Sequence, residues 1–326
     1  MKTQTITIIG LNRVGASVGL AIKQSPLDVT LIGYDPDDAK GQAALKTVQA
    51  IDKFETNLVN AARKADIVAI TVSSADIESI LRVIGAEVQS HTLVIDFSNL
   101  KRRGLDLANQ YLQQGHYVGA VPVLAEAHLA DGRSQTHNAT PDLFKNSTFC
   151  LMPSPHADPQ AVETAVKFGI LLGTLPYFLD PDEYDSLVQG TETLPALVSL
   201  AMLNTVQQAA GWRDMLRFAG QPFALSTLSL ENSRNIPLHA LQNKQATLRW
   251  LDALMEELMA VRRLVDEEEE EILTALTEQM ASERSKWLNA REENSWDERQ
   301  SPPVERRSIA EHLFGGLVRR GDKKDA

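Results

Sequence analysis

The stretch ITIIGLNRVGASVGLA, residues 6–21, decides the fold. Thr5–Ile9 is a β-branched apolar run that meets Gly10. From Val14 to Gln24 the apolar residues recur at helical spacing, with Val14, Val18, Ala21 and Ile22 on one face. Strand, tight turn and helix in that order are the setting a G-x-G-x-x-G fingerprint requires. Gly10 and Gly15 fill its first and third positions: the first permits the tight turn, and the third lets helix and strand pack closely. The middle position is Asn12, which tolerates a left-handed backbone better than other non-glycine residues. A helix starting here turns N–H groups and a positive dipole end toward a pyrophosphate. Gly10, Leu11, Asn12, Arg13, Val14 and Gly15 are therefore the expected cofactor-binding residues. Asp35, 20 residues beyond Gly15, closes the next strand, LIGYD, where a carboxylate accepts hydrogen bonds from ribose hydroxyls. Asp35, Asp37 and Asp38 together should repel a 2′-phosphate, which favours NAD over NADP. The alternative for the same residues is a tight turn with Asp35 capping the following helix.

Further along, apolar runs alternate with helical patterns. Val29–Tyr34, Asp66–Val72, Thr92–Phe97, His116–Val121 and Ser147–Met152 read as strands. Helices are expected near Asp37–Gln49, Asp76–Ala86 and Leu100–Gln113. Continuous apolar strands between helices imply a parallel sheet covered on both faces. The expected fold is α/β: an N-terminal Rossmann-type doubly wound parallel sheet followed by an all-α C-terminal domain. Val72, Ser73 and Ser74 end the DIVAITV strand, where such a sheet presents its cofactor crevice. They join the expected cofactor set, with an ordinary polar loop as the alternative. Leu124–Asn146 reads as a long loop of the kind that often carries function. A helix near Asp158–Leu172 and a short run near Thr174–Phe178 follow, and from Pro181 to about Ala290 the pattern is helical. The domains expected are 1–153 for dinucleotide binding, 154–182 as linker, 183–290 as helical substrate and dimerisation domain, and 291–326 as a flexible polar tail. In that tail Ile309, Leu313, Phe314 and Leu317 have the spacing of a short amphipathic helix.

The 326 residues carry 32 Lys+Arg against 43 Asp+Glu, a formal net charge of −11, which argues against binding nucleic acid through phosphate neutralisation. The surplus is uneven: residues 1–153 sum to −1 and residues 252–298 to −10, while the tail from Arg299 is +3. The acid, including Asp266–Glu271, reads as a solvated helix face, against which a basic tail could fold. The single cysteine, Cys150, supplies neither an internal disulfide nor a Cys-rich zinc site, and no metal is expected. Neither a leader pattern in Met1–Ile9 nor an apolar stretch of about 18 residues is present. A cytoplasmic protein with a small-molecule partner and no membrane attachment is the expectation.

Several segments resemble the prephenate/arogenate dehydrogenase family across roughly residues 6–290. They are GLNRVGASVGLA, the GYD ending at Asp35, and ADIVAITVS. DFSNLK (96–101) is similar to the family's D-x-G-S-x-K, GAVP (119–122) to G-S-H-P, and ETLPA (192–196) to S-H-L-P-H. GWRDMLRFA (211–219) is similar to G-F-R-D-M-T-R-I-A. The resemblance implies an NAD(P)-linked oxidative decarboxylation of a cyclohexadienyl acid in tyrosine biosynthesis, and a homodimer built through the helical domain. It also implies that Arg217 anchors a substrate carboxylate, with an ion pair to Asp214 as the alternative. The departures concern the chemistry. The family's catalytic His falls at Val121, two more at Thr193 and Ala196, and its Ser at Asn99, while Lys101 keeps its place and E-H-D becomes EYD with Tyr184. Val121 cannot accept the proton that leaves the substrate hydroxyl. Glu192 is the expected replacement base, with Lys101 and Asn99 beside it. Glu126 and His128 in the following loop are further candidates. Lys101 reads equally as part of a solvated basic turn with Arg102 and Arg103. Two functions stay open: an NAD-dependent dehydrogenase with an altered base, and an NAD-binding pseudoenzyme with a sensing or regulatory role.

Overall fold

In the computed structural model of the chain, residues 4–154 and 157–296 are described. The expected amphipathic tail helix and the basic tail segment lie outside them. The chain divides into two compact units, Met1–Asn243 and Lys244–Ala326, so the division falls later than the change in sequence pattern. In the first unit an eight-stranded sheet runs β1 (Thr5–Ile9), β2 (Thr30–Tyr34), β3 (Lys53–Phe54), β4 (Ile67–Ile70), β5 (Leu93–Asp96), β6 (His116–Pro122), β7 (Thr148–Pro153) and β8 (Leu175–Phe178). Its spatial order is β3-β2-β1-β4-β5-β6-β7-β8. All neighbours are parallel except β6 and β7. The order reverses between β1 and β4, which opens a crevice beyond their carboxyl ends.

The helices interleaved with the strands are α1 (Arg13–Lys23), α2 (Asp38–Gln42), α3 (Leu58–Ala62), α4 (Ile77–Ile84), α5 (Lys101–Tyr111) and α6 (Pro159–Leu171). Each central strand sends alternate residues to opposite faces. Ile67, Ala69, Leu93 and Ile95 join one core with Ile8, Val18, Phe149 and Phe168. Val68, Ile70 and Val94 join a second with Ile77, Leu81, Ile84 and Leu105. The strands are short β-branched runs because both of their faces are buried.

Beyond the sheet come α7 (Pro181–Val188), a π-helical turn at Gln189–Thr193, α8 (Leu194–Gln207), α9 (Trp212–Phe218), α10 (Gln221–Thr227) and α11 (Asn235–Gln242). Asp158 and Asp180 cap α6 and α7 by accepting the first free N–H groups, each followed by a proline at the first helical position. The second unit is a pair of long helices, α12 (Lys244–Asp266) and α13 (Glu270–Glu293). Asp266–Glu271 is exposed where the two join, as a solvated charge run should be.

Phe97, Phe149 and Phe168 meet edge to face beneath the sheet, with ring centres 5.9 and 6.3 Å apart. Phe149 is fully buried. Phe149→Ala should cost about 3–5 kcal/mol, read as a lower midpoint in chemical denaturation with little change in slope.

Candidate dinucleotide crevice

The crevice is built on a close approach of backbone. Gly10 has φ +98°, and a Cβ on Gly15 would lie 1.9 Å from the Gly10 carbonyl oxygen, so the turn admits no side chain at either position. The Thr71 hydroxyl, at the end of β4, donates to the Gly10 carbonyl at 2.6 Å. Asn12 is the N-cap of α1. Its side-chain oxygen accepts from Gly15 N–H at 3.0 Å, and its amide donates to the Thr71 carbonyl at 2.9 Å. The Asp35 carboxylate is buried and accepts from the N–H groups of Leu11 (2.7 Å) and Asp37 (2.9 Å). Asp35 thus ties β2 to the glycine turn and also caps the next segment. The Asn12 and Val14 N–H groups at the start of α1 have no acceptor among the described residues. They face the direction in which a helix N-terminus draws a phosphate. Glycine turn, two free amides and a carboxylate at the end of β2 together fit a dinucleotide.

Other residues expected in the cofactor set are placed differently. Arg13 is buried, and its guanidinium turns into the segment after β6, where it pairs with Asp131 at 2.6 Å. Ser73 donates from its hydroxyl to the Asn235 side-chain oxygen at 2.6 Å, and the Ser74 hydroxyl accepts from Asn99 N–H at 3.0 Å. Ser73, Ser74 and Asn99 therefore gather at the mouth of β4, tied to α11. Val72 is half-buried beside them.

Lys101 is 1% exposed, so the solvated basic turn is not found. Nor does its ammonium reach toward a ligand: Nζ donates to the carbonyls of Asp96 at 2.6 Å and Ala120 at 3.0 Å, joining β5 to β6. Burial pushes its ammonium down, opposed by Asp96, Asp185 and Cys150. The catalytic expectation for Lys101 gives way to a structural one, because its donors are spent on strand ends. Beside it the Tyr117 hydroxyl donates to Asp96 at 2.7 Å, and burial together with that carboxylate pushes the phenol well up.

Asp185 was missed by sequence reasoning. No side chain of the local chain caps α5. Asp185 of α7 does so from a distance, accepting from Lys101 N–H at 2.7 Å and Arg102 N–H at 2.9 Å. Its burial pushes the carboxyl up against these lowering contacts. The Asp of EYD was a visible signal, but its partner was not. The cap fastens α7, and the π-helical turn after it, to the sheet.

That turn carries Glu192 and Thr193. Glu192 is exposed and interacts with the buried Tyr184, whose phenol is pushed well up by burial, then by Cys150 and Glu192. Val121 packs with Cys150, Met152 and Tyr184 in a small apolar cluster. Thr193 and Ala196 are buried. No titratable group stands at these three positions. Arg217 is exposed on α9, with no ion pair among the described residues, so the Asp214 pair is not formed. Trp212, Met215, Phe218 and Phe223 line a groove of about 770 Å³ on the same helix. Among the described residues no group of three His, Cys, Asp or Glu could hold a metal, and no helix is long and apolar enough to cross a membrane.

Sheet order, glycine turn and crevice define a Rossmann-type dinucleotide-binding protein with a helical extension. The family model described as prephenate dehydrogenase, nucleotide-binding domain, matches residues 18–174. The chain is 26% identical over 284 residues to prephenate dehydrogenase of Bacillus subtilis (strain 168), spanning 82% of this chain and 72% of that protein. It is 24% identical over 254 residues to prephenate dehydrogenase of Lactococcus lactis subsp. cremoris (strain MG1363), spanning 73% and 67%. In fold it is similar to A. aeolicus prephenate dehydrogenase in complex with hydroxyphenyl propionate and NAD+ (TM-score 0.71, 18% identity, 88% of this chain and 99% of that one). It is likewise similar to Synechocystis arogenate dehydrogenase (TM-score 0.64, 20% identity, 87% and 100%). The chain belongs to the prephenate/arogenate dehydrogenase family.

His239 lies on the buried face of α11, and burial pushes its imidazole down from the ordinary value. The folded chain therefore favours neutral His239, and its contribution to stability is lost as pH falls below about 6.5, where the unfolded histidine protonates. Unfolding free energy measured from pH 7 to pH 5 should fall less steeply in His239→Leu than in the parent.

Proposed function

We propose that this chain is an NAD-dependent dehydrogenase of the prephenate dehydrogenase type, acting on a small carboxylate with an altered general base. The observation that carries this reading is the crevice at the sheet's reversal point, with two free α1 amides and Asp35 at its edge. Asn12 and Val14 N–H would hold the diphosphate, and Asp35 the adenosine ribose. Asp35 with its neighbours Asp37 and Asp38 favours NAD over NADP through charge repulsion of a 2′-phosphate. A bound nicotinamide would supply the hydride acceptor. The chain's own task is then to receive the substrate hydroxyl proton as the carbonyl forms and to hold the carboxylate. Glu192 suits the first role, being exposed on the turn that Asp185 fastens near the crevice. Arg217 suits the second, since its guanidinium is exposed and a planar fork matches a carboxylate. Lys101 and Asn99 act as positioning groups, through the strand ends and Ser74 respectively. Loss of carbon dioxide would follow, leaving an aromatic product.

A homodimer through the helical region fits the exposed apolar side chains there, including Phe218 at 84% exposed and Leu216 at 53%. A cytoplasmic setting fits the single, buried Cys150. The second function, an NAD-binding protein without turnover, is favoured by Val121, Thr193 and Ala196, none of which titrates.

Titration with NADH and NADPH, followed by turnover assays on prephenate and arogenate, separates the two. Turnover with NAD, reduced on the order of 10²–10⁴-fold in kcat by Glu192→Gln, supports the enzyme and its base. Micromolar NADH binding without turnover of either compound supports the second function. Arg217→Ala should raise KM more than it lowers kcat, and an unchanged KM overturns the anchor role.

A further inference from the structure

The segment after β6 does not hang free of the fingerprint. Arg13 Nη1 and Nη2 each donate to one oxygen of Asp131 at 2.6 Å. Nη1 also donates to the Arg133 carbonyl at 2.9 Å and Nε to the Asn138 carbonyl at 3.1 Å, while Nη2 meets His128 Nδ1 at 3.2 Å. The Arg13 backbone N–H donates to the Ser134 carbonyl at 3.1 Å. The Thr136 hydroxyl donates to the Leu11 carbonyl at 2.6 Å, and Thr140 N–H donates to the Ser17 hydroxyl at 3.0 Å. A stretch of chain from Asp131 to Thr140 is thus laid across the turn that the fold offers to a diphosphate.

These contacts copy those of a diphosphate. An anion arriving at α1 would seek a two-pronged bond to the Arg13 guanidinium and a bond to the N–H of the first helical residue. Asp131 already makes the first and Ser134 the second. The pair is only weakly screened, because Arg13 is 5% exposed, and Arg13 holds the Asp131 carboxyl down at about 2. Gly132, Arg133, Ser134 and Gln135 are exposed, so this tip is held by polar bonds that an incoming anion can replace, not by an apolar anchor. Segments of that kind open at low cost.

We propose that residues 131–140 form a latch over the pyrophosphate-binding turn, closed by Arg13 and Asp131, and that a dinucleotide binds by displacing Asp131 and Ser134 and taking Arg13 as a diphosphate ligand. The proposal rests on the nucleotide-binding reading above. Apparent affinity is lowered by the fraction of molecules in which the latch is open, so weakening the latch raises affinity.

The test uses the full chain and two variants, Asp131→Asn and Thr136→Val, the second loosening the latch without touching the ion pair. NADH affinity is measured by titration, and trypsin cleavage after Arg133 is followed by mass spectrometry. Both variants should bind NADH more tightly, Asp131→Asn by about tenfold, and both should be cut faster after Arg133. Saturating NADH should speed that cut in the parent. Adding Arg13→Met to Asp131→Asn should erase the gain in affinity. If the parent binds NADH but both variants bind it equally or more weakly, the latch is overturned and the nucleotide reading stands. If neither parent nor variants bind NADH, both fall.

Discussion

The first turn of α1 lies against the end of β1 with no room between them. A side chain on Gly15 would strike the Gly10 carbonyl, and one on Gly10 would meet Thr71 and Val72. This approach sets the angle at which α1 leaves the sheet, and with it the direction of the helix dipole and of the Asn12 and Val14 amides. Three further groups serve the same turn. Thr71 ties it to β4, Asp35 ties it to β2, and Asn12 caps the helix it begins. Each comes from a different strand or from the turn itself, so the crevice at the reversal of strand order is held from both sides.

A second junction carries this order outward. Asp185 caps α5 with two backbone bonds, and Arg102 beside it pairs with Asp182. Lys101 closes the ends of β5 and β6 from within. Burying a lysine and an aspartate costs free energy unless each finds strong partners. The partners here are backbone atoms on separate elements, so the cost is offset by a fixed position for α7. Glu192, two to three turns further on, inherits that position. The junction explains how a chain without the family's histidines can still keep DFSNLK and EYD: they hold the frame.

The strands were legible because burial on both faces demands continuous β-branched runs, and the bounds of β1, β2 and β5 differ from the expected ones by a residue or less at each end. The two-residue β3 was not, since so short an edge strand has no periodicity to show. The antiparallel turn of β7 was hidden too, because an apolar run carries no direction. Gly10, Gly15 and Asp35 could be read from spacing, as their partners lie near in sequence. The opposite holds for Arg13 and Asp131, 118 positions apart, and for Asp185 and Lys101, 84 apart. Composition cannot pair such residues. The one local hint was the fingerprint itself, where a charged Arg13 sits in a turn whose neighbours are small or apolar.

Asn12 and Arg13 belong to one physical problem. Where the fingerprint has glycine in the middle, the backbone lies open and a phosphate can rest on it directly. Asn12 fills that opening with a side chain and uses it to cap the helix, which takes Gly15 N–H out of play. Arg13 then adds a positive charge at the helix N-terminus, unfavourable beside the dipole unless an anion is close. Asp131 provides that anion. The family model begins its match at residue 18, just past these two positions, while the strands, DFSNLK and EYD beyond them hold to the common plan. Divergence at the turn and in the segment after β6 is thus a matched pair, each side compensating a charge or a donor that the other introduced.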